Sequence, residues 1–124
     1  FFGIIVDLIP NFIGKKDADS VKFLYHAAKM LVIKGNCNDA LKAIDVFKKI
    51  ERSFYLDPYY KGSIYYYLSL AYEKIGNVGR AQNETKRAKS LLKVSVNSDK
   101  RKKCKVRLGE IDRWGKKISR VKAC

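Results

Sequence analysis

The dipeptide Gly-Asn occurs as Gly35-Asn36 and again, 41 residues later, as Gly76-Asn77, and each copy separates two segments whose apolar residues recur at helical spacing. Both residue types tolerate the left-handed backbone that closes a helix C-terminus. Each copy therefore predicts a helix stop, a tight turn and a second helix folding back on the first. Other positions keep the interval: Ala40 stands over Ala81, and Leu31 over Tyr72. An alanine just past such a turn suits a close helix crossing, because a larger side chain would wedge the pair apart at a cost of about 1–3 kcal/mol. A self-similarity of this period is the pattern of stacked helical units, not of an enzyme built around one cleft.

Taken in order, residues 1–17 form an apolar segment ahead of a helical domain spanning 18–124. The run from Phe1 to Gly14 is too short to span a bilayer. Ile5, Leu8, Ile9, Phe12 and Ile13 share a helical stripe, which predicts a short helix covering the open end of the stack. The sharper readings are the tail of a membrane anchor, or an interfacial segment aided by Lys15 and Lys16. Pro10 is expected to kink or end this helix.

Asp17, Asp19 and Ser20 are N-cap candidates for a helix from about Ala18 to Lys34, with Val21, Leu24, Ala28, Leu31 and Val32 turned inward. A second helix is expected from Asn38 or Asp39 to Tyr55, burying Ala40, Ile44, Phe47 and Phe54 and ended by Asp57-Pro58; it completes a first repeat over about 18–58. The second repeat, about 59–93, pairs a helix from Tyr59 to Ile75, which buries Tyr65, Leu68, Ala71 or Tyr72, and Ile75, with one from Val78 to Lys93, which uses Val78, Ala81, Thr85, Ala88 and Leu92. After a polar connection over Val94–Ser98, Asp99 caps a basic helix over about 99–122, with Cys104, Leu108, Ile111, Ile118 and Val121 on its apolar stripe. Gly109 and Gly115 are expected to weaken, bend or split it.

The 124 residues carry 27 Lys and Arg against 12 Asp and Glu, a net charge of +15, and all but +3 of it lies in residues 86–124. Such a field favours acidic partners, whether nucleic acid, an anionic membrane or an acidic protein segment; its plain alternative is a solvated helix face. Cys37, Cys104 and Cys124 are odd in number and far apart. With no CxxC pair and no neighbouring histidine they suggest neither a metal site nor a disulfide framework, though they leave room for one bridge, and they favour a reducing compartment: the cytoplasm, or the cytoplasmic side of a membrane. No glycine-rich phosphate loop, paired-acid site or nucleophile–base pair is visible, so neither catalysis nor a cofactor is expected. His26, the single histidine, has no catalytic neighbour in sequence, and Asn83-Glu84-Thr85 falls on an expected helix, where a glycosylation acceptor arises by chance.

At these positions the second unit resembles the tetratricopeptide repeat (TPR) family. Tyr65 stands where the family usually has Trp; Leu68, Ser69, Tyr72, the turn glycine Gly76, Ala81 and Ala88 match its pattern. In the first unit Leu24, Ala27, Ala28, Leu31, Gly35 and Ala40 fit, but Phe47 replaces an alanine and Pro58 comes late. An interval of 41 against a family norm of about 34 implies an extended-repeat variant with a lengthened second helix. A partial third match begins at Lys103, with Leu108-Gly109 lying 40 residues after Leu68-Ser69. The resemblance implies an all-α fold in which antiparallel helical hairpins stack as a short right-handed TPR-like superhelix.

In that family the first helix of each unit lines a concave groove that holds a peptide or protein segment. The groove positions would be Lys22, Tyr25, His26, Lys29 and Ile33, then Tyr66, Tyr67, Leu70, Glu73 and Lys74, then Lys103, Val106 and Arg107. One subfamily grips a C-terminal carboxylate, and Lys103 and Arg107 have the spacing of its last two ligands, while Tyr25, Lys29 and Tyr67 depart from the others. The expectation is a non-enzymatic adaptor, scaffold or assembly factor whose protein partner is acidic. The alternative is electrostatic binding of nucleic acid or an anionic membrane surface by the C-terminal helix, through Lys100, Arg101, Lys102, Lys105, Arg113 and Lys117, with Trp114 either stacking on a base or covering the core.

Overall fold

The computed structural model describes residues 2–94 and 101–117. Among them the chain is all-helical, with six helices and no strand: α1 (Phe2–Phe12), α2 (Ala18–Lys34), α3 (Cys37–Ile50), α4 (Pro58–Lys74), α5 (Val78–Val94) and α6 (Arg101–Lys117). No helix among the described residues is long and apolar enough to cross a membrane.

The helix ends follow from local chemistry. Asp17 caps α2 by accepting from the Ser20 amide at 3.1 Å, and Asp57 caps α4 by accepting from the Tyr60 amide at 3.1 Å, with Pro58 in the first turn where its missing N–H is not needed. Asn36 caps α3 in a reciprocal box with Asp39, and Asn77 accepts from the Arg80 amide at 3.2 Å, so both asparagines of the repeated dipeptide open a helix. The two glycines do different work. Gly76 has φ +89°, and the Asn77 amide reaches the Tyr72 carbonyl at 2.8 Å in a Schellman closure. Gly35 has φ −88°, extended backbone, so the expected left-handed stop is absent there. It is needed because a Cβ would overlap Asp39 Cβ and the Leu31 carbonyl oxygen.

The contacts order the helices. Tyr25 on α2 meets Phe47 on α3 at 6.3 Å, and Ser69 on α4 bonds Thr85 on α5 at 2.7 Å, while a Cβ on Gly62 would stand 2.6 Å from Leu92 Cγ. Each short turn thus joins two helices running in opposite directions. Between pairs, Tyr25 meets Tyr60 at 5.2 Å, and the Lys74 ammonium donates to the Val32 carbonyl at 2.8 Å, so α2 and α4 run the same way. Arg107 bonds Ser63, and the Trp114 indole N–H donates to Ser69 at 2.9 Å, which extends that direction to α6. Trp114 is partly buried and packs against the core. α1 packs on α2 through buried Ile9 and the Phe12–Phe23 pair, whose ring centroids are 4.4 Å apart.

Several expectations are corrected. α3 ends at Ile50, and the residues up to Asp57 form a turn, so the long interval is taken up by a connection and not by a lengthened helix. Phe54, expected inside, is 84% exposed, and Val78 is also exposed. Pro10 does not end α1, which continues to Phe12, and α6 passes through Gly109 and Gly115 unbroken. Cys37 is disulfide-bonded, which removes the argument from cysteine usage for a reducing compartment. The expected connection beyond Val94, the Asp99 cap, and Ile118 and Val121 lie outside the described residues.

Candidate partner-binding face

Tyr59, Ser63, Tyr66 and Leu70 recur at helical spacing on α4, and Lys103, Arg107, Glu110 and Trp114 do so on α6. Where these stripes meet, Arg107 is 7% exposed. Its Nε donates to Ser63 Oγ at 3.2 Å, one terminal nitrogen to the Tyr59 hydroxyl at 3.2 Å and the other to Glu110 Oε2 at 3.0 Å. The guanidinium also lies 5.1 Å from the ring centre of Tyr67, 5.3 Å from Tyr66 and 5.8 Å from Tyr59. Burial works against its charge, but the tyrosine hydroxyls and Glu110 outweigh that, and its pKa is held above the ordinary arginine value.

Arg107 is therefore a tie between α4 and α6 and not an open ligand. The carboxylate grip suggested by Lys103 and Arg107 loses its second member, whose hydrogen bonds already go to its own chain. Tyr25 and Tyr67, expected to face a partner, are 2% and 3% exposed and belong to the core. Burial first, and Tyr67 second, push the Tyr25 hydroxyl pKa upward. Lys74 is spent on the Val32 and Gly35 carbonyls, at 2.8 and 2.9 Å, and so closes the end of α2. Glu73 is buried too, and burial raises its pKa.

What stays open is smaller. On α2, Lys22, His26 and Ile33 are exposed, and half-buried Lys29 lies over the Tyr67 ring at 5.6 Å. On α4, Tyr66 and Leu70 are half-buried; on α6, Lys103 and Val106 are exposed. His26 packs edge-on against Tyr25, and burial together with the Lys29 charge lowers its pKa below 6.5, so it is neutral at pH 7. The expected groove lysines that stay exposed or half-buried are Lys22, Lys29 and Lys103. A pocket of about 260 Å³ lined by Tyr59, Lys102, Lys103, Val106 and Glu110 opens beside Arg107.

Sequence reasoning missed Tyr59, Ser63 and Glu110. The first two were legible as the start of the stripe that continues through Tyr66 and Leu70. In the expected basic patch, Lys102, Lys105 and Arg113 are exposed, and Arg113 leans over Gly109, its charge acting on Tyr66. Lys100 and the side chains of Arg101 and Lys117 lie outside the described residues. Among the described residues no group of three or more His, Cys, Asp or Glu could hold a metal ion. Thr85 of the formal glycosylation triplet is buried, with its hydroxyl bonded to Ser69 and to the Ala81 carbonyl. No protein-family model, curated protein or solved structure matches this chain.

Proposed function

We propose that this protein is a non-enzymatic interaction module of TPR-like design, an adaptor or assembly factor, that holds an acidic peptide or protein segment across α2, α4 and α6. The observation that carries this reading is the common direction of these three helices. α2 packs on α4 and α4 on α6, and the side chains these helices leave exposed or half-buried include Lys22 and Lys29, Tyr66 and Leu70, and Lys103. Tyrosine gives contact area at little entropic loss, and flanking ammonium groups hold carboxylates, so the mixture suits an extended chain with glutamate or aspartate side chains. The family likeness is supported by burial at its characteristic positions: Leu68, Ser69, Tyr72, Ala81 and Ala88 in one unit, and Leu24, Ala27, Ala28, Leu31 and Ala40 in the other.

The reading is tested by fluorescence anisotropy with a labelled extended peptide that alternates glutamate with apolar residues. Binding is expected, and the double variant Lys29→Glu/Lys103→Glu is expected to weaken it at least about tenfold, equivalent to about 1.4 kcal/mol. Absence of binding by the unaltered protein, or equal binding by the variant, would overturn the proposal. Tyr67→Ala is a poor probe because it would open a cavity in the core.

A further inference from the structure

The outer side of α5 and α6 carries a second charged surface, which sequence reading had confined to the last helix. Lys86, Lys89 and Lys93 follow one another at helical spacing along α5, and Lys105, Asp112 and Lys116 do so along α6, with Lys102 one turn before them. The helices are joined here by the Lys89 ammonium, 3.0 Å from the Asp112 carboxylate. Asp112 has its pKa lowered first by that hydrogen bond and then by the charges of Lys89, Lys93 and Lys116, which places all three lysines around one acid. Lys86, Lys93, Lys102, Lys105 and Lys116 are exposed.

We propose that this six-lysine face of α5 and α6 binds the phosphate backbone of duplex nucleic acid without reading its sequence. Three features favour this partner. The lysines stand on two packed helices and span about 16 Å from Lys105 to Lys116 at roughly 1.5 Å per residue, long enough to meet several phosphates of a duplex strand. Among the described residues Asp112 is the acid set between these lysines, and Lys89 already engages it. Lysine is a compact, strongly hydrated point charge on a flexible stem, suited to the sequence-independent electrostatic attraction of phosphates. A membrane surface fits less well: among the described residues the large apolar side chains exposed on these two helices are valines alone, Val78 and Val94 at the two ends of α5 and Val106 in the pocket beside Arg107, while Ile4, Leu8, Leu41 and Phe54 lie on other elements.

The test is a titration of the full chain against a labelled mixed-sequence DNA duplex of about 20 base pairs at several salt concentrations, beside vesicles containing phosphatidylserine. The expected result is duplex binding whose log K falls with log salt by about 0.9 per phosphate neutralised. Lys93→Glu/Lys105→Glu/Lys116→Glu, with helix content checked by circular dichroism, should weaken binding at least about tenfold and flatten the salt slope. Lys22→Glu/Lys29→Glu, on α2, should leave duplex binding within about twofold, which separates this surface from the peptide face. No duplex binding at low salt, equal loss in both variants, or tighter binding to the vesicles than to the duplex would overturn the proposal.

Discussion

Two glycines in equivalent places are required for different reasons, and that difference is measurable. Gly76 sits at φ +89°, where any other residue would be strained. Gly35 has an ordinary backbone but no room for a Cβ against Asp39 and the Leu31 carbonyl. Gly35→Ala should therefore destabilise the protein by about 1–3 kcal/mol through overpacking at the α2–α3 turn. A denaturant midpoint within error of the unaltered protein would contradict that. Such a distinction was not legible in the sequence: the Gly-Asn pair announced a helix boundary in both places, and only the positions of Asp39 and Leu31 separate strain from crowding.

Glu84 is a second residue whose environment decides its behaviour. It is 2% exposed, its Oε1 is 3.6 Å from both Arg80 and Arg87, and its Oε2 has no hydrogen-bond partner. Burial, only partly opposed by Arg87 and Arg80, raises its pKa above 4.5. The native state thus holds this proton more tightly than the unfolded chain does. The resulting stabilisation is present in acid and is lost as pH rises from about 4.5 through the native value. Glu84→Gln should abolish that part of the pH dependence, so its melting temperature relative to the unaltered protein should climb as pH rises through the window. A constant difference between the two across pH would sink the assignment.

At the scale of elements, the helices were legible where capping chemistry and periodicity agreed, as for α2 with Asp17 and α4 with Asp57 and Pro58. The end of α3 was not, because residues 51–56 contain no glycine or proline, and Phe54 falls on the helical stripe of Ile44 and Phe47. Tertiary packing overrides that local pattern: Leu56 enters the core at 2% exposure, and the chain leaves helical geometry to bring it there. Phe54→Ser should consequently change stability by no more than about 0.5 kcal/mol, as expected for a surface site. A buried phenylalanine in an extended helix would cost about 3–5 kcal/mol, so urea unfolding of this one variant separates the two descriptions.

At the scale of the whole molecule, the apolar core of the described residues falls into two clusters. The larger runs from Ile9 through α2, α3 and α4 to Ala81; the smaller comprises Ala88, Leu92, Cys104 and Ile111 beneath α6. With so few buried apolar side chains of its own, α6 depends on polar ties, and the Arg107 contacts to Tyr59 and Ser63 reach 48 and 44 residues back along the chain. No local signal marks them, since an arginine within a basic run reads as solvated until a tyrosine-lined site on another helix takes it in. Arg107→Met would keep much of the side-chain volume but leave Tyr59 and Ser63 without this donor and Glu110 without its cation, at a cost of about 3 kcal/mol for a buried, hydrogen-bonded charge. The loss should be local. Hydrogen exchange is expected to accelerate first in α6 and the adjoining half of α5, while the α2 and α3 amides around Leu31 and Phe47 keep protection set by the larger cluster. Equal acceleration in α2 and α6 would mean that the two clusters open as one unit, and unchanged exchange in α6 would mean that its apolar contacts alone suffice to hold it.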